Sequence, residues 1–203
     1  SGGDQGRSIT LDATGNIYIS GSFLSVVDFD PGPAIFNLTS LGNNDVFILK
    51  LNASGNMIWA RRIGNSGDDI STSVAMDPSG NVYAAGTFFG TVDFDPGTGI
   101  FNLSSSGGSQ DFFISKFDSL GSFVWAKRMG GTGNDYSISM AIDALGNIHL
   151  AGVFFNTVDF DPGSGVFNLT SVSNGDIFIS KLDFAGSFMW AKRIGAGTPG
   201  SID

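Results

Sequence analysis

The sequence predicts an all-β protein, a β-propeller-type array of three four-stranded antiparallel blades, each with an extra hairpin between its second and third strands. Three observations predict this fold. The hexapeptide Val-Asp-Phe-Asp-Pro-Gly occurs at residues 27–32, 92–97 and 158–163, so that its copies start 65 and then 66 residues apart. The surrounding sequence recurs in step with the hexapeptide. No segment keeps a helical period, and turn residues and β-formers dominate throughout.

The second repeat shows how each element follows from the local sequence. Gly80 supplies the positive φ of a tight turn between two short strands. Residues 91–94 and 100–103 alternate in polarity and form the two arms of the hairpin around Asp-Pro-Gly. The predicted elements are strand 1 (71–77), strand 2 (82–88), the hairpin arms (91–94 and 100–103), strand 3 (111–117) and strand 4 (122–129).

The period divides the chain into three blade repeats, residues 1–65, 66–130 and 131–195, followed by residues 196–203 as a tail or the start of a truncated repeat. Four short strands that recur as a set favour a propeller blade over a β-sandwich or a parallel β-helix. Closed propellers typically have four to eight blades. We therefore expect an open or partial ring, unless another chain or further blades of a longer array complete it.

Composition excludes several classes of partner. All 19 acidic residues are Asp, and the net charge is −9. Nucleic acids and anionic membranes require a basic surface, so neither is an expected partner. No apolar run is long enough to span a bilayer. The chain has no cysteine, which excludes disulfides and thiolate sites.

Three strings in the second repeat resemble a known family. Residues 80–88 (GNVYAAGTF), 111–117 (DFFISKF) and 123–128 (FVWAKR) are similar to the bacterial SBBP-type β-propeller repeats. The resemblance extends over all three repeats, from about Asp4 to Gly195. It implies blade architecture and a secreted or surface-attached bacterial protein, hence an extracellular or cell-surface location, and it does not specify an activity.

The repeated acidic loops are the candidate metal site. Antiparallel strands alternate in direction, so the hairpins and the links between blades should meet at one end of the array. This end would also gather Asp4, Asp69 and Asp135 from the links. Calcium takes six to eight oxygen ligands, whereas Asp before Pro-Gly also serves to form a turn, and both roles remain open. The candidate calcium ligands are Asp28, Asp30, Asp93, Asp95, Asp159 and Asp161.

Aromatic and basic side chains recur at fixed positions in the fourth strand. Trp59, Trp125 and Trp190 are predicted to pack between neighbouring blades, with sugar stacking as the alternative. His149 is the only histidine, and its equivalents are Tyr18 and Tyr83. We therefore expect no metal or catalytic-triad role for it.

Symmetric sets of residues do not form an active site, which needs different residues in named roles. We expect a non-catalytic secreted or cell-surface module that acts as a scaffold, in adhesion or in ligand display, with no cofactor unless the acidic loops hold calcium. A carbohydrate-binding module and part of a glycan-active enzyme are the alternatives. The expected partners are further blades or a second copy of the chain, and a glycan or a surface protein.

Overall fold

The computed structural model describes residues 3–172 and 174–195, which form eighteen strands and no helix. The predicted elements of the second repeat begin and end within two residues of the observed ones. The predicted tail at residues 196–203 lies outside the described residues.

Each repeat consists of six strands. The first contains β1 (Gln5–Leu11), β2 (Ile17–Phe23), β3 (Val26–Asp28), β4 (Asn37–Thr39), β5 (Asp45–Leu51) and β6 (Met57–Ile63). The second contains β7 (Ile70–Met76), β8 (Val82–Phe89), β9 (Thr91–Asp93), β10 (Asn102–Ser104), β11 (Gln110–Phe117) and β12 (Phe123–Gly131). The third contains β13 (Tyr136–Ile142), β14 (Ile148–Phe154), β15 (Thr157–Asp159), β16 (Asn168–Thr170), β17 (Asp176–Leu182) and β18 (Phe188–Ile194).

The strands pair as the fold class requires. The orders β1-β2-β5-β6, β7-β8-β11-β12 and β13-β14-β17-β18 define three antiparallel sheets, and the short strands of each repeat form the extra hairpin. Strand β7 contacts both β1 and β13, so the first strands of the three sheets lie side by side. The predicted propeller-type array of three blades is therefore confirmed, and the sheets do not close into a barrel.

The turn between the first two strands is built by one aspartate. In the second repeat, Oδ1 of Asp77 accepts hydrogen bonds from the backbone N–H groups of Ser79 and Asn81, each at 2.9 Å. Gly80 has φ of +83°, a conformation that favours glycine. Local sequence alone therefore determines this turn.

Phenylalanine fixes the hairpin to its own sheet. In the second repeat, Phe94 lies 5.3 Å from Phe88 and 5.1 Å from Phe113 between ring centroids, and all three rings are buried. Val92 is buried as well. Asp93, which lies between Val92 and Phe94 in the sequence, is half-buried and participates in the hairpin turn. The alternation in Val-Asp-Phe thus places two apolar anchors in the core. The equivalent rings are Phe23, Phe29 and Phe47, and Phe154, Phe160 and Phe178.

A buried ion pair joins the third and fourth strands. Nη1 of Arg62 lies 2.7 Å from Oδ2 of Asp45, whose side chain is fully buried. Gly64 lies two residues after this arginine, and a Cβ atom there would collide with the Asp45 carboxylate. Glycine is therefore required where the chain passes over the buried acid. The same pairs recur as Asp111–Arg128 and Asp176–Arg193.

Neighbouring repeats meet through an aromatic ring and a glycine. Trp59 packs on Gly121 of the second repeat, where an added Cβ would lie 2.9 Å from the indole ring. Nζ of Lys50 donates to the Ser119 carbonyl at 3.1 Å, and Nε of Arg61 donates to the Gly121 carbonyl at 2.8 Å. In the next junction Trp125 packs on Gly186, and Lys116 donates to the Phe184 carbonyl at 3.5 Å.

Serine makes a second repeated link between the first strands. Oγ of Ser8 accepts a hydrogen bond from the backbone N–H of Val74 at 3.0 Å, and Oγ of Ser73 accepts one from Met140 at 3.1 Å. Each serine adjoins a register shift in its strand, at Gly6/Ser8 and at Ser71/Ser73. A β-bulge therefore turns a side chain of one repeat toward the backbone of the next.

The two junctions differ at the hairpin. Strand β15 of the third repeat pairs with the end of β12, with Gly131 opposite Val158, so the hairpin extends the sheet of the second repeat. A side chain at Gly131 would collide with the Thr157 carbonyl. The first repeat has Asn65 at this position, and its amide instead donates to the carbonyls of Phe89 and Thr91, at 2.8 and 2.9 Å.

Candidate binding surface at the hairpin end

The hairpins and the links between repeats lie at the same end of the array, which we name the hairpin end. The Asn65 amide joins the first link to the second hairpin. Asn44, at the end of the first hairpin connection, donates through Nδ2 to Oδ1 of Asp68 in the link at 2.9 Å. The turns between strands 1 and 2 and between strands 3 and 4 form the opposite end, which we name the turn end.

The hairpin aspartates accept backbone hydrogen bonds within their own hairpins. Oδ1 of Asp93 accepts from the N–H groups of Asp95 at 3.0 Å and Phe101 at 2.8 Å. Oδ1 of Asp95 accepts from Gly97 at 2.8 Å. The Asp95 carboxylate thereby shapes the Asp-Pro-Gly turn, and the Asp93 carboxylate connects the two arms of the hairpin. Equivalent bonds are made by Asp28 and Asp30, and by Asp159 and Asp161.

The described residues contain no group of three or more acidic or histidine side chains placed to hold a metal ion. Each hairpin contributes one pair of carboxylates, and each pair already accepts three backbone hydrogen bonds. The turn role of these residues is thus visible in the geometry, and calcium binding stays a prediction that needs a measurement.

Two aspartates of the links, Asp69 and Asp135, are buried. Asp69 accepts from the backbone N–H groups of Asn65 at 2.8 Å and Phe89 at 3.0 Å, and so ties the end of one repeat to the second strand of the next. Burial raises the pKa of Asp69 to about 7, and the nearby carboxylates of Asp45 and Asp68 act in the same direction.

Asp135 repeats this arrangement at the second junction. It accepts from the N–H groups of Gly131 at 2.9 Å and Phe155 at 3.0 Å. Burial, with Asp111 nearby, raises its pKa to about 7 as well. Asp4 in the first repeat stays exposed and accepts from the Leu24 N–H at 3.1 Å. Because Asp69 and Asp135 are buried, they do not join the hairpin carboxylates on an exposed surface as the sequence led us to expect.

Open grooves lie between neighbouring hairpins. The groove between the first and second repeats has a volume of about 470 Å³, and the equivalent groove between the second and third has about 280 Å³. Each combines apolar side chains of one hairpin, basic residues of the fourth strand and carboxylates of the next hairpin. The first groove is lined by Phe36, Leu38, Arg61, Arg62, Asp93 and Asp95. The second is lined by Phe101, Leu103, Lys127, Arg128, Asp159 and Asp161.

An exposed aliphatic residue occurs in the second arm of each hairpin, and in the first two hairpins it precedes a phenylalanine that lines a groove. Ile35, Ile100 and Val166 occupy the same position in the three repeats and are 77%, 79% and 73% exposed. The next residue is a phenylalanine that packs partly on its own sheet; Phe101, for example, lies 5.1 Å from Phe123. Folding does not need the exposed aliphatic side chains, yet all three repeats carry one. These residues were not predicted from the sequence, although their recurrence beside a polar turn is visible in it.

His149 takes part in a polar contact at the turn end. Nε2 of His149 lies 3.3 Å from Oδ2 of Asp143, in the place where Tyr83 donates to Asp77. Lys181 also reaches Oδ2 of Asp143 at 3.3 Å. His149 thus substitutes for tyrosine in a structural contact that closes the first turn of the blade.

The three repeated sheets, their hairpins and their junctions define a β-propeller-type repeat module. Residues 58–87 match the family described as "SBBP: Beta-propeller repeat". The match runs from the fourth strand of the first repeat to the second strand of the second, across a repeat junction. No helix among the described residues is long and apolar enough to cross a membrane.

Two curated proteins are similar to most of the chain. One is an uncharacterized WD repeat-containing protein, L264, of Acanthamoeba polyphaga mimivirus, 26% identical over 156 residues, which cover 72% of this chain. The other is the regulatory protein FlaEY of Caulobacter vibrioides, 28% identical over 147 residues, again covering 72% of this chain. The matched parts amount to only 11% and 15% of the lengths of these relatives.

Proposed function

We propose that the chain is a non-catalytic scaffold that displays the hairpin end as a binding surface for a glycan or a protein at the bacterial cell surface. One observation carries this proposal: each hairpin exposes an aliphatic residue that has no role in the core, at the same position of the repeat. These residues are Ile35, Ile100 and Val166. A ligand that covers them would remove apolar surface from water at three equivalent places.

The arrangement of polar groups supports a non-catalytic role. The acidic residues described above accept backbone hydrogen bonds or pair with arginine, and they recur in equivalent positions. A catalytic pair would require two groups with different environments and roles. The names of the two relatives, a WD repeat-containing protein and a regulatory protein, also describe no enzyme.

The experiment compares binding by two sets of variants. The chain and a triple variant, Ile35→Ser, Ile100→Ser and Val166→Ser, are applied to a panel of bacterial surface glycans and surface proteins. The matched control is Leu120→Ser with Leu145→Ser, because these leucines are 72% and 80% exposed at the turn end. We expect the triple variant to bind its ligand at least about tenfold more weakly than the chain, and the control to bind normally. Equal binding by the two variants would place the ligand elsewhere.

A carbohydrate-binding module is the second candidate, favoured by the grooves. Phe36 in the first groove and Phe101 in the second each lie beside basic and acidic side chains, a combination suited to the apolar face and hydroxyl groups of a sugar. Affinity electrophoresis in soluble polysaccharides is the test. Retardation that Phe101→Ala reduces, with no release of sugar, would support this candidate. Release of sugar would instead indicate an enzyme.

A further inference from the structure

The junction between the first and second repeats holds a cavity of about 550 Å³ at the hairpin end. It lies between the link (residues 65–68) and the beginning of the second hairpin (residues 89–91), and it shares no lining residue with the two grooves. Ligand pockets have volumes of about 300–1,000 Å³, so this cavity has room for a small ligand. We name it the junction cavity; its lining includes the side chains of Asn43, Asn65, Ser66, Asp68, Phe89 and Gln110.

The junction cavity is built from residues that differ between the two junctions. Its residues Asn65, Asp68 and Gln110 correspond to Gly131, Asn134 and Gly175 at the second junction. Strand β15 pairs with β12 opposite Gly131, where no side chain stands between link and hairpin. At the first junction the Asn65 side chain stands there and donates to the hairpin carbonyls. The two links therefore meet their hairpins in different ways.

An aromatic ring in the wall of the cavity is more open than its equivalent in the third repeat. Phe89 is 40% exposed, whereas Phe155 is half-buried and packs edge-on against Tyr136, with 6.3 Å between ring centroids. A Cβ atom at Gly175 would lie only 2.9 Å from the Phe155 ring. Ile70 stands in the second repeat where Tyr136 stands in the third. Phe89 thus offers an apolar surface to a ligand.

Several polar groups around the cavity keep unused hydrogen-bonding capacity. The side-chain amides of Asn43 and Gln110 and the hydroxyl of Ser66 make no hydrogen bond to the part of the chain that the structure describes. Oδ1 of Asp68 accepts from Nδ2 of Asn44 at 2.9 Å, and Oδ2 accepts from none of the described residues. No lysine or arginine among these residues lines the cavity. The lining therefore suits an uncharged ligand with several hydroxyl groups better than an anion.

We propose that the junction cavity binds one uncharged sugar ring of a polysaccharide. The proposal rests on the function proposed above for the hairpin end, and it assigns the class of ligand and a site apart from the grooves. A sugar ring has an apolar face, which the Phe89 ring covers, and hydroxyl groups at its edge that both donate and accept. Oδ2 of Asp68 accepts from one hydroxyl group, and the amides of Asn43 and Gln110 donate to others and accept from them. The Asp68 carboxylate repels an acidic sugar.

Affinity electrophoresis in a soluble glucan, mannan or galactan, with a polyuronate as the acidic comparison, tests this site. We expect at least one uncharged polysaccharide to retard the chain, and the polyuronate not to retard it. Phe89→Ala should weaken binding at least about tenfold. Asp68→Asn should weaken it roughly tenfold, because a hydrogen bond to a carboxylate is lost. Phe155→Ala is the matched control, since it removes the equivalent ring at the second junction, and it should bind normally.

The variants also separate the sugar site from an effect on folding. The third repeat carries asparagine at the position of Asp68, so Asp68→Asn introduces a residue that the fold already accepts there. An unchanged thermal unfolding midpoint in Phe89→Ala shows that its loss of binding is local. Equal weakening by Phe89→Ala and Phe155→Ala overturns the proposal. Retardation by none of the uncharged polysaccharides overturns it too, as does equal retardation by the polyuronate.

Two further outcomes distinguish this site from the surface proposed above. Retardation that Phe101→Ala reduces and Phe89→Ala does not would place the sugar in a groove, which rejects the junction cavity alone. Binding of a surface protein without retardation by any polysaccharide also rejects the cavity and leaves the hairpin end as a protein-binding surface. Loss of binding in Phe89→Ala, with normal binding by the triple aliphatic variant, would support the cavity and reject the role of the exposed aliphatic residues.

Discussion

The buried aspartates at the repeat junctions should make the stability of the protein depend on pH near neutrality. Burial raises the pKa of Asp69 and of Asp135 to about 7 in the folded chain, whereas an unfolded aspartate has a pKa of about 3.9. The folded state therefore binds more protons than the unfolded state between these values. The stabilisation from this difference is fully present below the unfolded pKa and is lost as the pH rises through about 7.

The size of the change in the free energy of unfolding follows from the pH range between the unfolded and folded pKa values. One unit of pKa difference corresponds to about 1.4 kcal/mol, so the roughly two units between pH 5 and pH 7 amount to about 3 kcal/mol for each buried aspartate. Asp45 and Asp111 should change the stability with pH in the same direction, because burial also raises their pKa values. One oxygen of each of these two carboxylates has no hydrogen-bond partner among the described residues.

Urea unfolding at pH 5 and pH 8 measures the effect. We expect a higher free energy of unfolding at pH 5. Asp69→Asn removes one titrating group and should reduce the difference between the two pH values by the roughly 3 kcal/mol that this group contributes, whatever its effect on absolute stability. Asp118→Asn is the control, because hydrogen bonds in an exposed turn lower the pKa of Asp118 and it titrates below this range. Equal stability at both pH values, or greater stability at pH 8, would refute the reasoning.

Three further measurements test the junction, the ion pair and the hairpin carboxylates. Gly121→Ala and Gly80→Ala both place alanine at positive φ, at +76° and +83°, but only Gly121 faces Trp59. In thermal unfolding we expect Gly80→Ala to lower the stability by about 1 kcal/mol and Gly121→Ala to lower it by about 1–3 kcal/mol more. Equal losses of stability would contradict the packing of Trp59 on Gly121. Arg62→Met should lower the free energy of unfolding in urea by about 3–5 kcal/mol, because it leaves the Asp45 carboxylate buried and unpaired. A decrease of less than about 1 kcal/mol would mean that the ion pair contributes little to stability. If the hairpin carboxylates only form turns, the thermal unfolding midpoint should be the same in excess calcium and in chelator. A bound calcium ion would instead raise the free energy of unfolding by about 2.7 kcal/mol at a hundredfold excess over Kd, and so raise the midpoint.

Local chemistry made much of the fold predictable from the sequence. The Asp-Pro-Gly hairpin, the turn at Gly80 and the alternation around Phe94 act over a few residues, so they are readable without tertiary contacts. Repetition then assigned the same elements to the other two units. The second basic residue of the fourth strand was harder to interpret. Arg62 pairs with Asp45, 17 residues earlier, and only the strand register brings the two side chains together.

Part of the candidate site was likewise predictable from the sequence, and part of it was not. The sequence placed the hairpins and the links at one end of the array, because antiparallel strands must alternate in direction. It did not reveal that Asp69 is buried, since burial depends on how one repeat packs on the next. It also gave no reason to single out Ile35, because exposure of an aliphatic residue is a property of the packed molecule.

The sequence by itself determined that this protein is a repeated array of antiparallel blades with acidic hairpin turns, since those features come from short-range conformational preferences and from the 65- and 66-residue spacing. Tertiary structure alone decided which surfaces remain open. Trp59 and Trp190 occupy the same place in the repeat, yet one is buried against Gly121 and the other is exposed. The difference arises because burial depends on the presence of a neighbouring repeat, which no local pattern encodes.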